Sequence, residues 1–142
     1  MNCKFVDYSD VKVGDDLPSL IKKPTRIQLF RYSAITWNAH RIHYDESYAK
    51  EEGYPDVLVQ SHLHGAFLTQ LCTDWMGVKG ILKSLTVSVR KYAVPGSTLT
   101  CKGKITDKKL VNDKLLFYID LIEVNQNEEC CAFGEAIIEL PN

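Results

Sequence analysis

Residues 63–76 read LHGAFLTQLCTDWM, and their pattern decides the fold. Leu63, Phe67, Leu71 and Trp75 recur every four residues, while Ala66, Leu68, Cys72 and Met76 widen the apolar surface beyond one stripe. A helix apolar around so much of its circumference needs cover on most sides, which predicts a central helix rather than a surface one. Ser61 is the expected N-cap, and Gly77 and Gly80 supply the stop.

Downstream the period changes from four to two. Leu85, Val87 and Val89 alternate with polar neighbours, as do Leu99, Cys101 and Ile105 after the Pro95-Gly96 turn. Asn112-Asp113 marks a further turn before Leu115, Phe117, Ile119 and Leu121, and Asn125-Gln126-Asn127 leads into a last strand over 130–140. The links are short, so neighbouring strands are expected to run antiparallel. One helix followed by a meander is an α+β arrangement. No repeat, low-complexity tract or linker divides residues 1–142, which are expected to form a single domain.

Composition limits what such a domain does. The chain has 142 residues, 45% hydrophobic and 25% charged, with a formal net charge of -1. That balance gathers neither nucleic acid nor an anionic membrane, so an anionic ligand must be met by a few local Lys or Arg residues. The acidic, non-apolar N-terminal stretch is not a signal peptide, and no apolar run approaches the ~20 residues of a membrane span. Cys3, Cys72, Cys101, Cys130 and Cys131 are odd in number and lack CxxC spacing, which fits a reduced, cytoplasmic chain. Adjacent Cys130 and Cys131 should point to opposite faces of a strand.

Polar residues gather just ahead of the central helix. His40, His43, His62 and His64 all fall within 40–64, with Asn38, Arg41, Tyr44, Asp45 and Gln60. Three readings compete. Two loosely spaced His pairs without Cys or carboxylate make a poor metal site, and none is expected. His62 and His64 serve equally well as capping or core-satisfied groups, and Trp37, Tyr48 and Tyr54 read as packing residues. The run 45–52 reads as the solvated face of a short helix.

The third reading rests on a resemblance. Thr36-Trp37-Asn38-Ala39-His40-Arg41-Ile42-His43-Tyr44-Asp45 resembles the catalytic segment T-G-D-x-N-P-[IL]-H-x-D of MaoC-like (R)-specific enoyl-CoA hydratases. The wider wording from Phe30 to Asp45 is closer to a mesaconyl-CoA-hydratase-like and fungal-dehydratase-like subgroup. Tyr8 to Leu17, Gly53-Tyr54-Pro55 through Leu63, and Val94-Pro95-Gly96-Ser97-Thr98-Leu99 resemble further family segments in the expected order.

The resemblance implies a hot-dog fold, an antiparallel sheet wrapped around the central helix. It also implies reversible addition of water to a 2-enoyl thioester. His43 falls on the family's catalytic histidine and Asn38 on its aspartate. An amide orients water but does not take a proton, which leaves His43 as principal base. A helix-start N–H at Ser61 would polarise the thioester carbonyl, where the family commonly has His-Gly and this chain has Gln60-Ser61. Gln60 or His62 would add a donor. Arg41 replaces the family's proline and brings positive charge beside the site, and Arg90 and Lys91 are candidates for coenzyme A phosphates, with surface solvation an equal explanation.

No cofactor is implied beyond coenzyme A as part of an acyl-CoA or acyl-carrier thioester substrate. A homodimer or higher homo-oligomer is expected, a heteromer being the variant, since hot-dog domains pair across a sheet edge. Two alternatives to the hydro-lyase stay open: a half-competent acyl-CoA-binding subunit of a heteromeric hydratase, and a hot-dog thioesterase.

Overall fold

Strict two-residue periodicity in the second half of the chain produces one antiparallel sheet. The computed structural model describes residues 8–141; Cys3 and the first seven residues of the stretch read for a leader lie outside them. The described residues contribute β1 (Leu20–Lys22), β2 (Ile81–Val89), β3 (Leu99–Val111), β4 (Lys114–Val124) and β5 (Cys130–Pro141), in the spatial order β1-β3-β4-β5-β2. The β3–β4 hairpin turns at Asn112 and Asp113, whose φ values of 49° and 57° are the left-handed pair that a two-residue hairpin loop requires. The β4–β5 turn is held by the Asn125 side chain, whose Oδ1 accepts from the N–H groups of Asn127 and Glu129.

The apolar half of each strand faces inward. Leu99, Cys101 and Ile105 on β3, Phe117, Ile119 and Leu121 on β4, and Ala136, Ile138 and Leu140 on β5 are buried against α3 (Ser61–Met76). This is the hot-dog arrangement, a curled sheet around one helix. Leu63, Phe67, Leu68, Leu71 and Cys72 face the sheet, as their spacing predicts. Cys131 is buried and Cys130 only partly so, as residues on opposite faces should be. Gly134 on β5 permits close pairing with β2: a methyl there would lie 1.8 Å from the Thr86 carbonyl oxygen.

Phe117 anchors this core. It is fully buried, meets the Trp75 ring edge-on at 5.3 Å and lies 6.5 Å from Tyr8. Phe117→Ala should destabilise the fold by about 3–5 kcal/mol, read as a lowered denaturation midpoint with little change in slope.

Several local expectations need correction. Gln60, not Ser61, is the N-cap of α3, and Ser61 is its first helical residue. The first long strand begins at Ile81, three residues earlier than the alternation suggests, because a bulge between Leu82 and Ser84 breaks its period. A second helix, α1 (Arg26–Thr36), carries no apolar stripe: only Leu29 and Ser33 are buried, while Ile27, Phe30 and Ile35 are exposed. Trp37, read as a packing residue, is 92% exposed in the left-handed conformation that ends α1. The acidic run forms α2 (Glu46–Glu51), capped by Asp45, whose Oδ1 accepts from Tyr48 N–H at 3.1 Å.

Candidate functional site

The start of α3 is open. The Gln60 carbonyl accepts from the N–H groups of Leu63 and His64, but its side chain makes no cap. The carboxamide turns inward instead, Nε2 donating to the Leu29 carbonyl at 2.8 Å and to Ser33 Oγ at 2.9 Å. The N–H groups of Ser61 and His62 are left as uncapped donors at the positive end of a 16-residue helix. Ser61 and His62 line a cleft of about 790 Å³, walled also by Gly65, Ala66 and Thr69 further along α3, by Tyr32 of α1 and by Leu85, Val87 and Val89 of β2. The cleft wall on β2 is also a sheet edge, since β2 pairs only with β5 among the described strands.

His43 is held beside this helix start by two hydrogen bonds. It closes a 3-10 turn, Arg41–His43, whose Ile42 carbonyl accepts from Leu58 N–H at 2.9 Å. In return His43 Nδ1 lies 2.8 Å from the Leu58 carbonyl oxygen, three residues before Ser61. A carbonyl only accepts, so Nδ1 carries the hydrogen and Nε2 keeps its lone pair. Burial lowers the imidazole pKa below its ordinary 6.5, partly offset by the hydrogen bond to Leu58, with a lesser lowering from the nearby His40. His43 is therefore a neutral base at neutral pH.

Asn38 reaches the same region from α1. The Ser33 carbonyl accepts from the N–H groups of Trp37 and Asn38, and Ser33 Oγ is the group gripped by Gln60. The Asn38 Oδ1 accepts from His40 N–H at 3.2 Å, which leaves its amide hydrogens to donate. Asn38 lines a neighbouring hollow of about 330 Å³ with Phe30, Ala34, Trp37 and Tyr44, separated from the larger cleft by α1. His43 is thus pinned to the Leu58 carbonyl just ahead of α3 and Asn38 lines the next hollow, and neither residue is among those walling the larger cleft.

The other expected site residues divide. His62 and Ser61 line the cleft. Gln60 is corrected: it is fully buried with both amide hydrogens engaged, so its side chain is no substrate donor. Arg41 pairs with Asp45 at 2.6 Å and stacks on Tyr48, so its charge is already neutralised by the residue that caps α2. Lys91 pairs with Glu129, and Arg90 lies over the Phe133 ring at 5.0 Å; neither lines the cleft.

The four histidines occupy four environments. His40 caps the 3-10 turn, His43 holds Leu58, His62 is exposed, and His64 is buried with its Nδ1 against Glu123. Burial pushes the thiols of Cys72 and Cys131 up to about 11, with Cys101 higher still, so none of these is a thiolate nucleophile near neutral pH.

Residues with no role in the sequence reading also matter. The Leu58 carbonyl fixes the His43 tautomer, and a backbone oxygen leaves no sequence signal. Gly65 and Thr69, by contrast, continue from Ser61 a readable row of small residues four apart that lines the cleft.

Comparison with known proteins bears on the family and the fold. The sequence profile of the family described as "Htd2: Hydroxyacyl-thioester dehydratase type 2" matches residues 15–92, just over half of the chain. A mesaconyl-C(4)-CoA hydratase of Chloroflexus aurantiacus is 57% identical over 44 residues, 30% of this chain and 16% of that relative, which is thus roughly twice as long. The R-hydratase PhaJ1 of Pseudomonas aeruginosa superimposes with a TM-score of 0.84 at 20% identity, covering 95% of this chain and 85% of that one. A chain of the ChsH1-ChsH2 complex of Mycobacterium tuberculosis does so with a TM-score of 0.80 at 21% identity, covering 91% and 98%. At those identities the two structures speak for the fold alone.

Proposed function

The chain belongs to the hydroxyacyl-thioester dehydratase type 2 family, MaoC-like proteins of the hot-dog fold, and on that premise we propose that it adds and removes water at the double bond of a 2-enoyl thioester. The observation that carries this reading is His43, its Nδ1 bound to the carbonyl of Leu58 three residues before an uncapped helix start whose first residues line a cleft.

In the hydration direction, His43 Nε2 takes a proton from water as the water oxygen bonds to C3 of the enoyl group. The π electrons move toward the thioester carbonyl, whose developing negative charge is met by the Ser61 N–H, with the His62 N–H beside it. The imidazolium then returns its proton to C2, restoring the base and completing the 3-hydroxyacyl thioester. Asn38, which lines the adjoining hollow, is the group proposed to donate to the water oxygen and orient it from that side. Coenzyme A or an acyl carrier enters only as part of the substrate. A second copy of the chain, or a related one, pairs along β2 and closes the cleft; a relative twice this length supports a two-domain working unit.

The enoyl absorbance assay with parallel thiol titration tests this directly. Incubation with a short 2-enoyl-CoA should lower the conjugated absorbance without releasing thiol. Thiol release would indicate a thioesterase, and no change with either readout would remove the hydratase. Asn38→Asp adds a carboxylate able to share the base's work, and kcat should rise about tenfold or more. An unchanged kcat would show that the amide is not what limits turnover.

A second reading has its own support. Asn38 where the family carries a carboxylate fits an acyl-binding subunit completed by an active partner, and one similar solved chain comes from a two-component complex. Turnover appearing only on mixing with such a partner would favour it.

A further inference from the structure

The inward turn of Gln60 has no part in the chemistry just described. We infer that Gln60 is a positioning residue that sets the spacing between the helix-start donors and Asn38, an inference that rests on the proposed hydratase site. Three observations carry it.

The first is the geometry of the tether. Gln60 is 0% exposed, and its two amide hydrogens reach two acceptors one turn apart on α1, the Leu29 carbonyl and Ser33 Oγ. Ser33 in turn receives the Trp37 and Asn38 N–H groups on its carbonyl. A single buried carboxamide therefore fixes the segment that delivers Asn38 relative to the residue immediately before Ser61.

The second is that α1 has few buried anchors, with Leu29 in the core, Tyr32 packed against it and Arg26 paired with Glu46 and Asp56 at the exposed end. Only Leu29 and Ser33 on this helix are buried, and Gln60 touches both of these residues. Ile27, Phe30 and Ile35 face outward. With so narrow an apolar contact, buried polar contacts share in placing the helix, and they are costly to leave unmade.

The third is that turning inward is what leaves α3 uncapped. A side chain at this position ordinarily bonds the N–H of the second or third helical residue. Gln60 makes no such bond, so the donors at Ser61 and His62 stay open while the tether to α1 is formed. One residue thus opens one half of the site and places the other. Its Oε1 is buried without a partner, as is His64 Nε2 one turn further along α3, so the polar interior here is organised around the amide hydrogens alone.

The test uses Gln60→Leu, which keeps bulk and removes both donors, and Ser33→Ala, which removes one acceptor and leaves the Ser33 carbonyl intact. Two readouts are taken on the full chain. Amide hydrogen exchange at Trp37 and Asn38 should accelerate at least tenfold in Gln60→Leu and less in Ser33→Ala, with β3–β5 unchanged. Steady-state kinetics should show kcat reduced by roughly 10²-fold in Gln60→Leu with KM within about threefold, the signature of displaced machinery.

Exchange at Trp37 and Asn38 that matches the parent in both variants overturns the inference, and so does exchange that rises uniformly across the sheet. If Gln60→Leu does not fold, Ser33→Ala decides alone by the same readouts. A parent that binds enoyl-CoA without turning it over defeats the proposed function, while the exchange result still judges the tether.

Discussion

His43→Ala lowers the rate of enoyl-CoA hydration by about 10²- to 10⁴-fold, with the fold and its thermal midpoint little changed. The magnitude is that of removing a general base, and the geometry gives no substitute. Asp45, two residues on, caps α2 and pairs with Arg41. Asn38 takes no proton near neutral pH. His40 Nδ1 accepts from Ile42 N–H, which occupies its lone pair in the turn. The pH dependence of the parent carries the same signature with a definite sign. Burial favours the neutral imidazole, so the His43 pKa lies below 6.5 and kcat/KM should hold its plateau to lower pH than an ordinary imidazole allows. It then falls as pH drops through the lowered value, because protonation occupies Nε2. An acid limb centred above 6.5 would mean that a different group is the base.

Ser61→Pro is the second large effect, about 10²- to 10³-fold in kcat. Proline suits the first helical position, where its missing N–H breaks no intrahelical bond. The residue before it, Gln60, has φ -64° and ψ 142°, the extended region that precedes proline readily. The substitution therefore deletes the proposed oxyanion donor while the helix stays. Ser61→Ala, which keeps the N–H, should lose far less. Circular dichroism and the denaturation midpoint of Ser61→Pro should match the parent, and its KM should change less than kcat. Parental kcat in Ser61→Pro would move the oxyanion donor elsewhere on the helix.

Much of this fold was legible because its periods are strict. The four-residue recurrence from Leu63 to Trp75 and the alternation along β3 and β4 mark surfaces buried on one side or all round, and burial leaves a sequence trace. α1 was not legible, since Ile27, Phe30 and Ile35 point to solvent and blur the pattern that would betray a helix. β1, at three residues, is too short to alternate. At the site, His43 and Asn38 were singled out by the motif around them. The orientation of Gln60 did not, because its partners Leu29 and Ser33 lie 31 and 27 residues away and nothing local says whether a cap residue turns in or out. Arg41 and Lys91 looked like charges available to a ligand, and the carboxylates that claim them became visible only with the fold.

The account turns on an imidazole kept neutral, with Nε2 free, at the open end of the central helix. Nitrogen-edited NMR of the histidine rings over a pH titration reads both properties at once. The account predicts that His43 carries its hydrogen on Nδ1 and titrates below 6.5. A His43 ring protonated on Nε2, or one titrating above that value, would contradict it.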